Sequence, residues 1–216
     1  MARLPRIDLP GVPRHIVQRG NNRLPCFLDD QDRRNYLFLL GEALRATHCQ
    51  LHAYVLMDNH VHLLATPGSA GAVARLMQIL GRRYVPIFNA RHERTGTLWE
   101  GRYRASLVDS ETYVLRCQRY IELNPTRARM VDDPATYRWS SCAAHLGLRS
   151  DTLLKPHPAW LALGSTPDTR AAHYLQLLGT SIPEEELLDI RRHLQQQRAL
   201  GDTAFQAMIE AMTQRF

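Results

Sequence analysis

The chain has 216 residues, of which 44% are hydrophobic and 22% are charged, and its formal net charge is +6. This length and balance fit a globular domain with an appendage and exclude a disordered tail-type protein. The charge is uneven, because residues 1–150 contain 21 Arg against 13 acidic residues, whereas residues 151–216 contain six basic and eight acidic residues. The surplus of arginine favours a polyanionic partner, most often nucleic acid, with a solvated basic surface as the alternative.

The cysteines and the hydropathy pattern exclude several other classes. Cys26, Cys49, Cys117 and Cys142 are widely separated and form no C-x-x-C pair, so neither a disulfide framework nor a zinc ribbon is indicated. The first six residues contain charges and a proline where a signal peptide would need an apolar run. No stretch approaches the roughly 18 apolar residues of a membrane span. We therefore expect a cytoplasmic protein that has no membrane partner.

The first half of the chain alternates predicted strands and helices. Residues 14–19 read as a strand that ends at a Gly-Asn-Asn turn, and Asp29 or Asp30 begins a helix that runs through Ala46. Residues 53–57 and 60–65 are two β-prone runs around Asp58-Asn59, which predicts a tight hairpin.

The pattern continues with a helix from Ala72, a strand over residues 101–108 and a helix that is capped by Ser110 and stopped by Pro125. Six elements in this order predict an α+β protein of the ferredoxin-like βαββαβ type, an antiparallel sheet with helices on one face. Residues 150–180 read as loop and short helix. Two amphipathic stretches follow, the first of which begins at a capping-box sequence at Ser181.

Two short segments carry side chains that are suited to metal binding or catalysis. His60 and His62 are two apart on a predicted strand, so their imidazoles share one face and can bind one divalent cation. Tyr120 and Asn124 are four apart and share a helical face, which can add an amide ligand and a phenol to that site. The alternative is that the histidines are a chance pair, that Tyr120 is a core aromatic and that Asn124 ends a helix. Tyr113, seven residues before Tyr120 and on roughly the same face, is the rival of Tyr120, but it lacks the four-residue spacing to Asn124.

Taken together, these motifs resemble the single-tyrosine HUH transposases, most closely the REP-associated tyrosine transposases. The resemblance rests on MDNHVH at residues 57–62, LWEGRY at 98–103, RYIELNPTRA at 119–128 and YRWSS at 137–141. The sequence QRGNNR at residues 18–23 fits as well. The resemblance covers roughly residues 10–145. We expect a transposase-like catalytic domain over residues 1–148 and a helical extension over residues 149–216.

The resemblance implies a DNA strand transferase that cleaves and rejoins single-stranded, hairpin-bearing DNA. Tyr120 matches the nucleophile that forms a 5′-phosphotyrosine, and His60, His62 and Asn124 match the ligands of a divalent metal, Mg²⁺ or Mn²⁺. Such proteins act as monomers or as homodimers.

Several arginines, some interleaved with an aromatic residue, are candidates for contacts with DNA phosphates and bases. The predicted DNA-binding residues are Arg14, Arg19, Arg23, Arg82, Arg83, Arg102, Tyr103 and Arg104.

Two other functions are weighed against the transposase. A non-catalytic nucleic-acid-binding module on the same fold is the main alternative. Such a module would need none of His60, His62 and Tyr120, so the presence of all three together with Asn124 favours the enzyme. A zinc hydrolase would need further ligands close to His60 and His62, and the usual His-x-His-x-Asp-His pattern is absent.

Overall fold

A four-stranded antiparallel sheet forms the centre of the protein. The computed structural model describes residues 8–109 and 113–213. The strands lie in the order β2-β3-β1-β4, where β1 is Arg14–Arg19, β2 is Cys49–Met57, β3 is His60–Pro67 and β4 is Arg104–Leu107. Helix α1 (Asp30–Thr47) joins β1 to β2, and helix α2 (Ala72–Arg91) lies between β3 and β4. This confirms the α+β, ferredoxin-like βαββαβ prediction.

The remaining helices follow the sheet in the chain. They are α3 (Tyr113–Glu122), α4 (Asn124–Arg127), α5 (Cys142–His145), α6 (Pro158–Leu161), α7 (Pro167–Gly179), α8 (Glu184–Gln196) and α9 (Thr203–Thr213). Among the residues that the structure describes, no helix is both long enough and apolar enough to cross a bilayer.

Three local predictions need correction or lie outside the described part. Residues 167–179 form a 13-residue helix, longer than the short helix expected within residues 150–180, because Thr166 and Thr169 form a reciprocal capping box and Pro167 fits the first helical turn. Helix α8 begins after Pro183 instead of at Ser181, with Glu184, Glu185 and Glu186 in its first turn, where the helix dipole favours negative charge. The predicted cap Ser110 lies outside the described residues.

The two faces of the sheet differ in character. Val61, Leu63 and Ala65 of β3 point to one face and are fully buried, in the hydrophobic core to which α1 and α2 also contribute. These two helices pack against each other, as the βαββαβ plan expects, whereas α3 contacts β2 and β3. Because side chains alternate along a strand, His60 and His62 of β3 point to the opposite face, and this is the face that α3 covers.

The segment after residue 148 packs closely against the sheet. Val108 pairs with Leu200 in an isolated parallel bridge, and the Nη2 atom of Arg119 donates to the carbonyl of Thr180 at 2.6 Å. Ile190 of α8 is a member of the main hydrophobic core. The division into residues 1–148 and 149–216 stays a prediction about domain organisation.

A buried carboxylate links α3 to this segment. Glu122, at the end of α3, is fully buried and accepts hydrogen bonds from the side chains of Ser141, His145 and Tyr174, the last two at 2.6 and 2.7 Å. Burial, with the Glu122 carboxylate as a further cause, holds the pKa of Tyr174 well above its ordinary value, so this phenol stays a donor. The network therefore fixes the C-terminal end of α3 against α5 and α7.

Removing the carboxylate should destabilise the protein strongly. We expect Glu122→Leu to lower the free energy of unfolding by about 3–5 kcal/mol, because three buried donors lose their acceptor. Tyr174→Phe should cost about 1–3 kcal/mol, since one donor is lost and the carboxylate keeps the other two. Urea unfolding measures both values, with Glu100→Gln at an exposed position outside the helices as a neutral control. Equal stability of Glu122→Leu and wild type would contradict this role.

Candidate active site

Three histidines share the face of the sheet that α3 covers. In the antiparallel pairing of β1 with β3, Arg19 lies opposite His60 and Val17 lies opposite His62. Residues opposite each other point to the same face, so His15, two residues before Val17, joins them. The Nε2 atom of His15 lies 2.7 Å from the Nδ1 atom of His62, with the two rings stacked at 5.0 Å. The rings of His60 and His62 are also 5.0 Å apart.

His15 is a residue that the sequence analysis missed. Its position within a short strand gives no hint of the neighbouring strand, which is 45 residues and more further along the chain. The only available signal is its even spacing from Val17 and Arg19, which marks a common face but not what that face contacts.

Tyr120 of α3 lies directly over these rings. Its ring centroid is 5.7 Å from that of His15 and 5.9 Å from that of His62, and only 5% of the residue is exposed. Tyr113 lies seven residues earlier, about 10 Å along the helix axis, where its ring contacts the guanidinium group of Arg116 at 4.9 Å. The structure thus brings Tyr120, rather than the rival Tyr113, against the histidines.

The chain after Tyr120 bends at Leu123 and continues as the short helix α4. The Tyr120 carbonyl accepts hydrogen bonds from the side chains of Asn124 and Arg127, at 3.2 and 2.8 Å. Asn124 uses its Nδ2 atom in this bond, which leaves its Oδ1 atom as the acceptor. The predicted spacing therefore does place Asn124 next to Tyr120, although the two residues belong to different helices.

Arg127 is the second residue that the sequence analysis missed. Its guanidinium carbon lies 4.3 Å from the centroid of the Tyr120 ring, a cation–π contact. Its Nη1 atom is buried and has no hydrogen-bond partner in the part of the chain that the structure describes. A spacing of seven residues from Tyr120, about two helical turns, is the signal that could have identified it.

The histidines of this face are held in the neutral form. Burial lowers the pKa of His15 to about 3, and the charge of Arg127 adds to this effect. Burial lowers the pKa of His60 to about 4, with Arg19 as the second cause. The pKa of His62 is likewise well below its ordinary value, first because of burial and then because of His15 and His60. A neutral imidazole has a free lone pair, the form in which histidine binds a metal.

The donor set of His60, His62 and Asn124 fits a divalent cation in its chemistry. Two neutral imidazoles and an amide oxygen suit Mn²⁺ and related transition metals, whereas Mg²⁺ prefers an all-oxygen shell. These residues are therefore chemically suited to the Mg²⁺ or Mn²⁺ that the resemblance implies, and Mn²⁺ is the better match.

A second group of potential ligands lies at the start of α1 and the end of α2. Asp29, Asp32 and His92 are close enough to share one ion. However, Arg91 forms ion pairs with both carboxylates, and the Nε2 atom of His92 lies 2.8 Å from Asp32. Asp29 also caps α1 by accepting from the backbone N–H of Asp32. These bonds give the group a structural role in joining the two helices, so we assign it no metal.

Two of the predicted DNA-binding residues are buried. Arg14 is 2% exposed and forms an ion pair with Asp8, because its position on β1 points into the protein. Tyr103 is 8% exposed and belongs to the hydrophobic core. These two side chains offer little surface to DNA in this structure, and their contact with DNA stays a prediction. The reason is the alternation along an extended chain, which turns Tyr103 inward while its neighbours Arg102 and Arg104 stay exposed.

The other arginines are exposed, in two locations. Arg19 and Arg104 point to the histidine face, since Arg19 lies opposite His60 and Arg104 lies opposite Val17. Arg23 and Arg102 are exposed close to the ends of the same strands. Arg82 and Arg83 are on α2, where Arg83 pairs with Glu42 at 2.6 Å, and the neighbouring Tyr84 is fully buried.

Buried neutral histidines make the stability of the protein sensitive to acid. Burial lowers the pKa of His52, on β2 and apart from Tyr120, to about 4, whereas an unfolded histidine titrates near 6.5. Between these values the unfolded chain binds more protons, so stability is complete above about pH 7 and is lost as the pH falls toward 4. We expect His52→Gln to reduce the pH slope of the unfolding free energy by up to about 1.4 kcal/mol per pH unit in this window.

Urea unfolding in EDTA at several pH values measures this slope. The control is His48→Asn, which changes an exposed histidine in a left-handed conformation that Asn tolerates. A slope that His52→Gln leaves unchanged would contradict the assignment.

Comparison with known proteins identifies the family. Residues 11–124 match the family model described as "Transposase IS200 like". No protein of curated function matches the sequence significantly. Among solved structures, a REP-associated tyrosine transposase bound to a REP hairpin aligns with a TM-score of 0.57 at 14% identity, covering 72% of this chain and 98% of that one. A candidate transposase from Deinococcus radiodurans R1 aligns with a TM-score of 0.39 at 21% identity, covering 60% and 91%. The family model spans more than half of the chain, which therefore belongs to the IS200-like transposase family.

Proposed function

We propose that the protein cleaves and rejoins single-stranded DNA beside a hairpin through a 5′-phosphotyrosine on Tyr120. The observation that carries this proposal is the packing of the Tyr120 ring against His15 and His62, with Arg127 stacked on it. A family member of the same fold is bound to a REP hairpin, which supports a hairpin-bearing substrate. His60, His62 and Asn124 would hold the divalent cation, Mg²⁺ or Mn²⁺.

The reaction needs no oxidant or cofactor-derived group. The phenol oxygen of Tyr120 attacks the scissile phosphorus, the bond from phosphorus to the 3′ oxygen breaks, and a proton ends on the released 3′-hydroxyl. Because the energy of the phosphodiester is kept in the tyrosine ester, another 3′-hydroxyl can reverse the step and join a new strand. When bound, the cation supplies charge neutralisation at the phosphate and polarises its oxygen.

Arg127 and the break between α3 and α4 position the Tyr120 nucleophile. The bonds from Asn124 and Arg127 to the Tyr120 carbonyl fix the backbone of the nucleophile. The Nη1 atom of Arg127, buried and without a described partner, is suited to bind a non-bridging phosphate oxygen. A guanidinium group at this point favours the negative charge that develops in the transition state.

The exposed arginines on the histidine face are the proposed contacts with the DNA backbone. Arg19 and Arg104 point from the sheet toward the space beside His60, and Arg23 and Arg102 extend this surface. Arg82 and Arg83 are further candidates, and because α2 packs with α1 on the other face of the sheet from Tyr120, we assign them to the hairpin stem rather than to the scissile phosphate.

Covalent capture tests the proposal. Incubation with single-stranded hairpin DNA and Mn²⁺ should give a protein–DNA adduct that survives denaturation, and mass spectrometry should find the DNA on the peptide that contains Tyr120. Tyr120→Phe should reduce the adduct by at least about 10³-fold, because the nucleophile is absent. The matched control Tyr113→Phe, on the same helix, should react like wild type.

The other outcomes decide between the functions. An adduct that persists in Tyr120→Phe and disappears in Tyr113→Phe would contradict the choice of nucleophile. Tight hairpin binding without an adduct, in wild type and at every metal tested, would favour the non-catalytic nucleic-acid-binding module.

Salt dependence tests the proposed DNA surface. Each phosphate contact to a single strand contributes about 0.7 to the slope of log affinity against log salt concentration. We expect the double variant Arg19→Glu and Arg23→Glu to flatten this slope by at least about 1.4, measured by fluorescence anisotropy with a labelled hairpin. Arg75→Ala, which removes an exposed arginine of α2, should leave it unchanged. An unchanged slope in the double variant would rule out these contacts.

A further inference from the structure

We propose that Asn59 and His15 form an outer shell around the two metal-binding histidines, each bonding an Nδ1 atom so that Nε2 is left for the cation. This inference rests on the proposed function, since it names the positioning residues of the same site. Neither residue would touch the metal or the DNA. Both would act through the imidazole that they hold.

The proton arrangement at His60 follows from the bonds of Asn59. The Nδ2 atom of Asn59 donates to the carbonyl of Arg23 at 2.9 Å, which turns its Oδ1 atom toward the Nδ1 atom of His60 at 2.7 Å. An amide oxygen only accepts hydrogen bonds, so the proton of the neutral His60 ring lies on Nδ1. The Nε2 atom of His60 then carries the free lone pair that a cation needs.

The turn after β1 holds Asn59 in place. The backbone N–H of Gly20 donates to the Asn59 carbonyl at 2.8 Å, and the 3₁₀ turn Asn21–Arg23 supplies the carbonyl that binds the Asn59 amide. A Cβ atom at position 20 would collide with the carbonyl of Leu24, so only glycine allows the turn to approach this closely. The turn is thereby linked to the His60 ring by two consecutive hydrogen bonds, from the Asn59 amide to the Arg23 carbonyl and from the His60 Nδ1 atom to the Asn59 Oδ1 atom, and the Gly20 bond holds the Asn59 backbone.

His15 has the same relation to His62. Its Nε2 atom lies 2.7 Å from the Nδ1 atom of His62, so one proton lies between the two rings. A cation on the Nε2 atom of His62 requires this proton to reside on the Nδ1 atom of His62, with His15 as the acceptor. Both ligands would then present Nε2, each with its Nδ1 proton bonded to a fixed acceptor.

The burial of His15 points to function rather than stability. Its Nδ1 atom is buried without a hydrogen-bond partner among the described residues, so the bond to His62 is the side-chain hydrogen bond that the structure gives this ring. A buried polar atom without a partner lowers stability, and an apolar side chain of similar size would avoid that cost. A residue that is unfavourable for folding but bonded to a metal ligand is typical of a functional site.

Metal titration separates the positioning role from a structural one. We expect His15→Leu to weaken Mn²⁺ binding 10- to 100-fold, the usual effect of losing an outer-shell partner, while the protein unfolds at the same or a higher urea concentration than wild type. His15→Gln keeps an acceptor near the Nε2 position and should stay within about threefold of wild type. The matched control His52→Leu, which removes another buried histidine of the sheet, should lose stability without losing Mn²⁺ affinity.

Nitrogen-15 NMR of the imidazoles reads the proton positions directly in the wild-type protein. His60 should carry its proton on Nδ1 with and without Mg²⁺, and His62 should do so when Mg²⁺ is bound. In Asn59→Leu the His60 ring should become a mixture of both tautomers. A proton on the Nε2 atom of His60 in the metal-free protein, or wild-type Mn²⁺ affinity in both His15→Leu and Asn59→Leu, would overturn the inference.

The two proposals fail in distinguishable ways. If His60→Ala and His62→Ala bind Mn²⁺ like wild type, the cation site of the proposed function is wrong, and the outer shell that rests on it is wrong with it. If those two variants lose Mn²⁺ while His15→Leu and Asn59→Leu retain it, the cation site stands and the outer shell is wrong.

Discussion

The antiparallel pairing of β1 with β3 determines which side chains meet beneath α3. The register places Val17 opposite His62, so that His15 and His62 lie on one face within hydrogen-bond distance. A slip of one residue would turn the histidines into the core of α1 and α2 and turn Val61 and Leu63 outward. The apolar alternation of β3 therefore protects the site against slips by an odd number of residues, because such slips would also turn the fully buried Val61 and Leu63 out of the core.

The buried polar groups on the histidine face lower the stability of the fold. The imidazoles of His15 and His62 are buried beneath α3, and the Nη1 atom of Arg127 is buried without a hydrogen-bond partner among the described residues, where apolar groups would be more stable. The fold compensates on the opposite face with a continuous apolar core and at the end of α3 with the bonds to Glu122. Helix α3 is thus anchored at Glu122, two residues after Tyr120, and this holds the tyrosine over the histidines.

Local patterns in the sequence predict the elements well, and contacts between distant segments much less. The hairpin around Asp58 follows from alternation and turn chemistry, and the pairing of Tyr120 with Asn124 follows from helical spacing. His15 and Arg14 are adjacent on β1, and the sequence cannot tell that one reaches His62 while the other pairs with Asp8. The contact of His15 with His62 depends on a strand register set by residues 47 positions further along the chain. The burial of Tyr103 between two exposed arginines likewise depends on contacts with distant segments.

We propose that His60, His62 and Asn124 hold a cation beside Tyr120. Anomalous diffraction at the manganese edge, from crystals grown with Mn²⁺, locates such an ion without any assumption about activity. The proposed cation site should give one strong peak within coordination distance of the Nε2 atoms of His60 and His62. A peak at Asp29, Asp32 and His92 instead, or density at Nδ1 of His62 with His15 displaced, would contradict it.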